Sequence, residues 1–241
     1  MHPDATRIYE AAHIHGEPRT ERLRLITERA MEIRLPDFSV RRTLRTPGEE
    51  LSLAAGILLG EGLVAEPADL AAVRWDPARD PDTVWADLLE NPLISCRLPV
   101  PPPRFLPFSG EELVEMTRLL AESQALHRAT RSAHAVLVMG EKAEVLGRGE
   151  DVGRHNALDK ALGQAFLRGR LPEARAVVLT CRINQDAVRR ACIARVGVLV
   201  SISRPTARAV EMARQFGAGL ALVTADPQVL AFSGMERFVA V

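Results

Sequence analysis

Residues 175–224 read RAVVLTCRINQDAVRRACIARVGVLVSISRPTARAVEMARQFGAGLALVT, and the rhythm of this stretch decides the fold. Three short apolar runs, RAVVLT (175–180), VLVSI (198–202) and LALVT (220–224), alternate with segments of helical period. The runs are expected as buried strands. One helix spans residues 184–195 with Gly197 after it, and a second follows Pro205 and is capped by Gly217. Strands joined by single helices imply parallel pairing and a layered α/β domain. In such sheets ligands sit beyond the carboxyl ends of the strands.

Upstream, HAVLVM (134–139) and AEVLGR (143–148) predict a hairpin across Gly140-Glu141, followed by a helix from about Arg154 to Arg168 closed by Gly169. Ser109 and Glu112 form a capping box, and Leu113, Met116, Leu119, Leu120 and Leu126 give the next helix its apolar face. PVPPP (99–103) is the clearest break, so residues 66–108 predict short strands and then an extended connection. In RTPGEELSLAAGILLGEGLV, Pro47-Gly48 turns the chain and Glu49 and Glu50 suit a first helical turn. Leu51, Ala54, Ala55 and Leu58 share a face, and Gly60 and Gly62 end this helix. LRLITERAMEIRL predicts one or two strands, whereas residues 1–20 lack periodicity and are expected to be mobile. The chain thus divides into a smaller β-rich part with one helix and a Pro-rich connection (1–108) and an α/β part with a mostly parallel sheet (109–241).

Composition excludes several function classes. The chain has 241 residues, 47% hydrophobic and 26% charged, with a net charge of +0. No global field draws it to nucleic acid or an anionic membrane, so any anion must be held by a local cluster of donors. No apolar run approaches the roughly 20 residues of a membrane span. The N-terminus has no stretch of signal-peptide type, and a cytoplasmic location is expected. Cys96, Cys181 and Cys192 are too few for a disulfide framework or a four-cysteine zinc site.

Three places concentrate chemistry. Thr180-Cys181-Arg182-Ile183-Asn184 follows one buried strand and Ser203-Arg204-Pro205-Thr206 the next. Both set hydroxyls and an arginine beside a helix N-terminus, where free N–H groups and guanidinium attract phosphate. Ordinary helix capping explains the same residues. In GEDVGRHNALDK (149–160), Glu150, Asp151, Arg154, His155, Asn156, Asp159 and Lys160 all ionise or hydrogen-bond. Asp151, His155 and Asp159 recur every four residues and could share a helical face as a metal site; the alternative is a buried network in which Asp151 pairs Arg154. We assign no metal ligands. Among the cysteines, Cys192 is most simply core, Cys181 lies near a helix start that would lower its pKa, and Cys96 with Arg97 lies on a proline-rich segment where a thiolate would react.

GEDVGRHNALDKALG closely resembles the R-E-D-V-G-R-H-N-A-x-D-K-x-x-G signature of the formate dehydrogenase accessory (FdhD/NarQ) family. RTPGEELSLAAGILLGEGL is similar to M-R-T-P-G-x-D-x-E-L-A-x-G-F-L-x-x-E-G, and AMEIRL to P-L-E-I-R. RSAHAV stands for T-G-G-x-H-A-A, keeping His134 while Arg131 and Ser132 replace the glycines. TCRINQDAVRRA keeps the arginine of S-G-R-x-x-x-E-x-x-x-K-A as Arg182, and SRPTARAVEMA and GAGLALV also align. The resemblance runs from about residue 28 to near the end.

This likeness implies a sulfur carrier, resembling a sulfurtransferase, that takes sulfur from a cysteine desulfurase and passes it to a bis-(molybdopterin guanine dinucleotide) molybdenum cofactor needed by formate dehydrogenase. It implies an α/β domain of three-layer, cytidine-deaminase-like fold that binds the guanine nucleotide end, and a homodimer. The family's S-C-G-x-C-G loop reads Ser95-Cys96-Arg97-Leu98-Pro99-Val100, so Cys96 is the implied persulfide carrier and Pro99 replaces the second cysteine. The implied nucleotide-site residues are His134, Arg154, His155, Cys181, Arg182, Asn184, Ser203, Arg204 and Thr206. The stretch Ala225-Asp226-Pro227-Gln228 joins them in place of a more basic family segment. A cofactor-binding chaperone without persulfide chemistry is the alternative. Zinc deaminases pair H-x-E with P-C-x-x-C; that pair is absent, and base deamination is rejected.

Overall fold

The structure, a computed structural model, describes residues 1–17, 19–36, 39–89 and 106–239. In chain order its elements are β1 (Thr6–Ala12), β2 (Thr20–Ile26), β3 (Arg29–Arg34), β4 (Val40–Arg45), α1 (Glu50–Glu61), β5 (Leu70–Asp76) and β6 (Asp82–Leu88). After the connection come α2 (Gly110–Ser123), α3 (Ala125–Thr130), β7 (His134–Met139), β8 (Val145–Asp151), α4 (Arg154–Leu167) and β9 (Ala176–Leu179). The chain closes with α5 (Gln185–Ile193), β10 (Val198–Ser201), α6 (Ala207–Phe216), β11 (Gly219–Val223) and β12 (Val229–Ser233).

Among the described residues the strands form three sheets: the β1-β2 ribbon, a four-stranded sheet in the order β4-β3-β6-β5, and a six-stranded sheet in the order β12-β11-β10-β9-β7-β8. In the large sheet β9, β10 and β11 run parallel, as the strand–helix alternation predicts. The expected mostly parallel sheet is nevertheless corrected to a mixed one, because β12, β7 and β8 pair antiparallel. For β12 the cause is the Thr224–Gln228 turn back from β11, and for β7 and β8 it is one crossover. The tight 140–144 link makes β7 and β8 a hairpin, and α4 then carries the chain back so that β9 lands on the far side of β7. The new strand is parallel to β8 and hence antiparallel to the strand between them.

Alternation along these strands feeds two cores. Val136, Val138, Val177, Leu179, Leu199 and Leu220 face α1, α4, α5 and α6. Leu137, Met139, Val178, Val200 and Val223 face Leu113, Met116 and Leu120 of α2, whose first turn carries the expected Ser109–Glu112 capping box. The first core also takes in Met31, Ile33, Val84 and Ala86 of the small sheet, so one apolar cluster draws on residues from both sides of position 108. Helix α1 lies in its middle and is buried all round, from Leu53 to Gly60. The single apolar face expected for it is too narrow, and Leu51, assigned to that face, is exposed.

Helices α1 and α4 touch backbone to backbone. A Cβ at Gly56 would lie 1.9 Å from the Asp159 carbonyl oxygen, and one at Gly163 would lie 1.9 Å from that of Ser52. No side chain larger than hydrogen fits either place. At the N-terminus, the expected mobile segment contains β1, which pairs with β2 from Thr6↔Ile26 to Ala12↔Thr20. Its side chains are exposed on both faces, which erases the alternation that marks a half-buried strand.

Candidate functional site

Five chain segments meet at one edge of the six-stranded sheet. The carboxyl ends of β9, β10 and β11 lead into Thr180–Asn184, Ser203–Thr206 and Thr224–Gln228. Because β7 runs the other way, its first residue His134 reaches the same edge, paired in register with Asp151 at the end of β8. Helix α4 starts there from Gly153, which gives its first N–H groups no side-chain cap.

The two central loops are stitched to each other. The Ser201 hydroxyl donates to the Cys181 carbonyl at 2.8 Å, that of Ser203 to the Thr180 carbonyl at 3.0 Å, and the Thr206 N–H to the Ile183 carbonyl at 3.0 Å. Asn184 accepts the Ala187 N–H at 2.9 Å and Thr206 the Ala209 N–H at 3.2 Å, so both cap helices as their composition allows. These residues build the walls. The guanidinium groups are different: Arg182 and Arg204 are exposed and Arg154 is half-buried, and none has a hydrogen-bond or ion-pair partner among the described residues. A cavity of about 360 Å³ is lined by Asn184, Gln185, Asp186, Arg189 and Thr206, and by none of these three arginines.

His155 stands at the entrance of α4. Its Nε2 lies 3.0 Å from Asn184 Nδ2 and 3.8 Å from Asp186 Oδ2. Burial holds its pKa below the usual range, opposed by Asp186 and assisted by Arg190 and Arg154. Burial also lowers His134, reinforced by Arg154 and His127. Cys181 departs from expectation: the helix start does not lower its pKa, because the thiol is buried and burial pushes it up against the pull of Arg154 and Arg182. Cys192 is core, as expected, with its thiol pushed up to about 11 by burial. Cys96 lies outside the described residues. The Ala225–Gln228 turn reaches the shared edge, held by Thr224, which accepts the Gln228 N–H at 3.1 Å. Its Pro227, however, lines a separate cavity of about 950 Å³ over Phe108, Leu113 and Phe238.

The rest of GEDVGRHNALDK is brace. Asp151 is wholly buried and accepts from Lys160 Nζ at 2.8 Å, the Thr46 N–H at 3.0 Å and the Gly153 N–H at 2.9 Å. Its expected partner Arg154 is replaced by Lys160, because Asp151 ends β8 while Arg154 begins α4 and faces the loop edge. For the same reason Asp151, His155 and Asp159 share no helical face. Lys160 also donates to the carbonyls of Thr46 and Glu150, and Asn156 to that of Leu44, which ties the signature to the RTPG turn. Arg45 of that turn is itself buried, 2.5 Å from Asp82 and 2.9 Å from Glu50. Asp159 is gripped by Arg190 at 2.6 Å; burial raises its pKa to about 7 against that arginine, with the Asp186 carboxylate adding to the rise. Among the described residues no three His, Cys, Asp or Glu side chains group as metal ligands. No helix among them is long and apolar enough to cross a membrane. Sequence reasoning missed Asp186 and Arg190. Their i,i+4 spacing, with Asp186 two residues past the Asn184 cap, was the available signal.

Among the described residues the mixed α/β layer thus carries three unpaired arginines at one loop edge, by the carboxyl ends of its central strands. Comparison with known proteins identifies the family. The model of the FdhD/NarQ family matches residues 93–239. The chain is 29% identical over 251 residues to the sulfur carrier protein FdhD of Streptomyces coelicolor, covering 88% of each chain. It is 30% identical over 230 residues to that of Mycobacterium tuberculosis, covering 80% of this chain and 83% of the relative. A crystal structure from Desulfotalea psychrophila, named as a formate dehydrogenase accessory protein, superposes with a TM-score of 0.84 at 21% identity over 98% of this chain and all of that one. The chain belongs to the FdhD/NarQ family.

Proposed function

We propose that this protein carries sulfur for a bis-(molybdopterin guanine dinucleotide) molybdenum cofactor, receiving it from a cysteine desulfurase and serving formate dehydrogenase. The observation that supports this most is the set of three guanidinium groups, Arg154, Arg182 and Arg204, left without partners among the described residues at one edge. Guanidinium grips phosphate oxygens in pairs, and uncapped N–H groups at the start of α4 add to the pull. The cofactor is cargo, and its guanine nucleotide end would sit against these groups. The six-stranded layer, with helices on both faces, serves as the cytidine-deaminase-like core implied by the resemblance. The relatives named as sulfur carriers support the sulfur task.

Cys96 is the proposed acceptor. Its thiolate attacks the outer sulfur of the donor's persulfide, the donor S–S bond breaks, and the donor cysteine leaves as thiolate. Cys96 then holds the sulfur as its own persulfide. Pro99 removes the neighbouring thiol that would otherwise resolve it, so transfer must use one cysteine.

Calorimetric titration of GDP tests the nucleotide site: binding is expected for the unaltered chain and lost in Arg182→Ala. Mass spectrometry after incubation with a desulfurase and cysteine tests the carrier, with a persulfide expected on Cys96. Full formate dehydrogenase activity supported by Cys96→Ala overturns that role. GDP binding with no persulfide favours the second reading, a cofactor-binding chaperone, for which the missing second cysteine speaks.

A further inference from the structure

The contact between His155 Nε2 and Asn184 Nδ2, 3.0 Å long, contains one hydrogen whose owner the structure identifies. The Asn184 amide is not free to turn over. Its Oδ1 accepts the Ala187 N–H at 2.9 Å as the N-cap of α5. Reversed, the amide would press its NH₂ against that N–H, donor against donor. The NH₂ therefore faces His155, and an NH₂ only donates. Nε2 must then accept, and the neutral ring keeps its proton on Nδ1. Among the described residues Asp186 is the one whose carboxylate comes within 4.0 Å of Nε2, and at 3.8 Å its Oδ2 is beyond hydrogen-bond reach.

We infer that Asn184 is a positioning residue that locks His155 as its Nδ1–H tautomer, turning the ring into a hydrogen-bond donor for an acceptor oxygen of the nucleotide ligand. The ligand half of this inference rests on the proposed nucleotide site; the tautomer does not. Nδ1 has no partner among the described residues, and the side chain is 42% exposed, so the donor is spare. The groups facing the ring are Asp186 and Arg190 from α5 and Arg154 from its own helix. The two arginines disfavour a second proton on the ring and Asp186 favours one; the Asn184 NH₂ occupies the Nε2 lone pair. A general-base role through Nε2 is thereby closed off, since its lone pair is occupied.

Long-range ¹H–¹⁵N correlation spectra of the full chain, labelled on histidine at pH 7.5, read the tautomer directly. The expected pattern is a protonated Nδ1 and a bare Nε2. Asn184→Asp keeps an oxygen for the α5 cap but offers Nε2 an acceptor. It should switch the ring to Nε2–H, raise its pKa, and weaken GDP binding about tenfold, the worth of one hydrogen bond. Affinity should recover as pH falls through the raised His155 pKa, because imidazolium carries a proton on both nitrogens. A purely structural or repulsive effect of the new carboxylate gives no such recovery. Asn184→Ser, which caps the helix without touching the ring, should weaken GDP less and show mixed tautomers. An Nε2–H ring in the unaltered chain overturns the tautomer and leaves the nucleotide site standing. Absence of GDP binding by the unaltered chain overturns the site and the donor role together. Unchanged GDP affinity in Asn184→Asp, with the tautomer switched, overturns the donor role alone.

Discussion

Within a single twelve-residue signature, Asp151 and Lys160 are sealed in the core and answer each other at 2.8 Å, while Arg154 and His155 stand at the loop edge, where Arg154 has no partner among the described residues. The same contrast runs through the molecule. Arg45 and Arg190 are spent on Asp82, Glu50, Asp159 and Asp186, whereas Arg182 and Arg204 are not spent on any described residue. A dense run of charge is thus two populations, one that holds helices and turns in place and one held out for something else. Burial separates them, because a buried charge must find its partner inside the protein.

The largest expected effect falls on the sealed side. Lys160→Met strands the Asp151 carboxylate in the core and should cost about 3–5 kcal/mol in denaturant melts; a mild loss would dissolve the distinction. Gly163→Ala drives a methyl into the Ser52 carbonyl and should cost about 1–3 kcal/mol. A neutral result would show that the two helices can part. Arg131 takes φ +58, a left-handed conformation that costs any residue with a Cβ, so Arg131→Gly should raise stability by about 1 kcal/mol. Arg182→Ala and Arg204→Ala should each shift stability by less than about 0.5 kcal/mol. Each should nonetheless weaken GDP binding by about tenfold or more, the scale of a charged hydrogen bond. Destabilisation by either would move it into the bracing population.

Much of this was legible in the chain, and the failures share a cause. The parallel strands β9 to β11 and helices α5 and α6 announced themselves because each is set by local periodicity and a cap at Asn184 or Thr206. The loop cluster followed from strand adjacency, and the structure joins those loops with Ser201 and Ser203. The hop of β9 over β7 was hidden because no local pattern records which side of a hairpin a later strand will join. β1 was hidden because both its faces are wet, and α1 because none of its sides is. Lys160 was overlooked as the Asp151 partner for a geometric reason: pairing Asp151 with Arg154, three residues on, presumes a helix already under way at residue 151, and the helix starts at 154.

The glycine crossing of α1 and α4 has a mechanical meaning. With Gly56 and Gly163 set against opposing carbonyls, the joint has no clearance. Sliding one helix by a single residue, about 1.5 Å, brings the bulk of Ala55 or Ile57 toward a space sized for a hydrogen atom. The joint therefore transmits displacement without play, and the small sheet, α1, α4 and the edge that begins at Arg154 travel as one part. Whatever docks on the small-sheet side is geared directly to the edge that begins at Arg154.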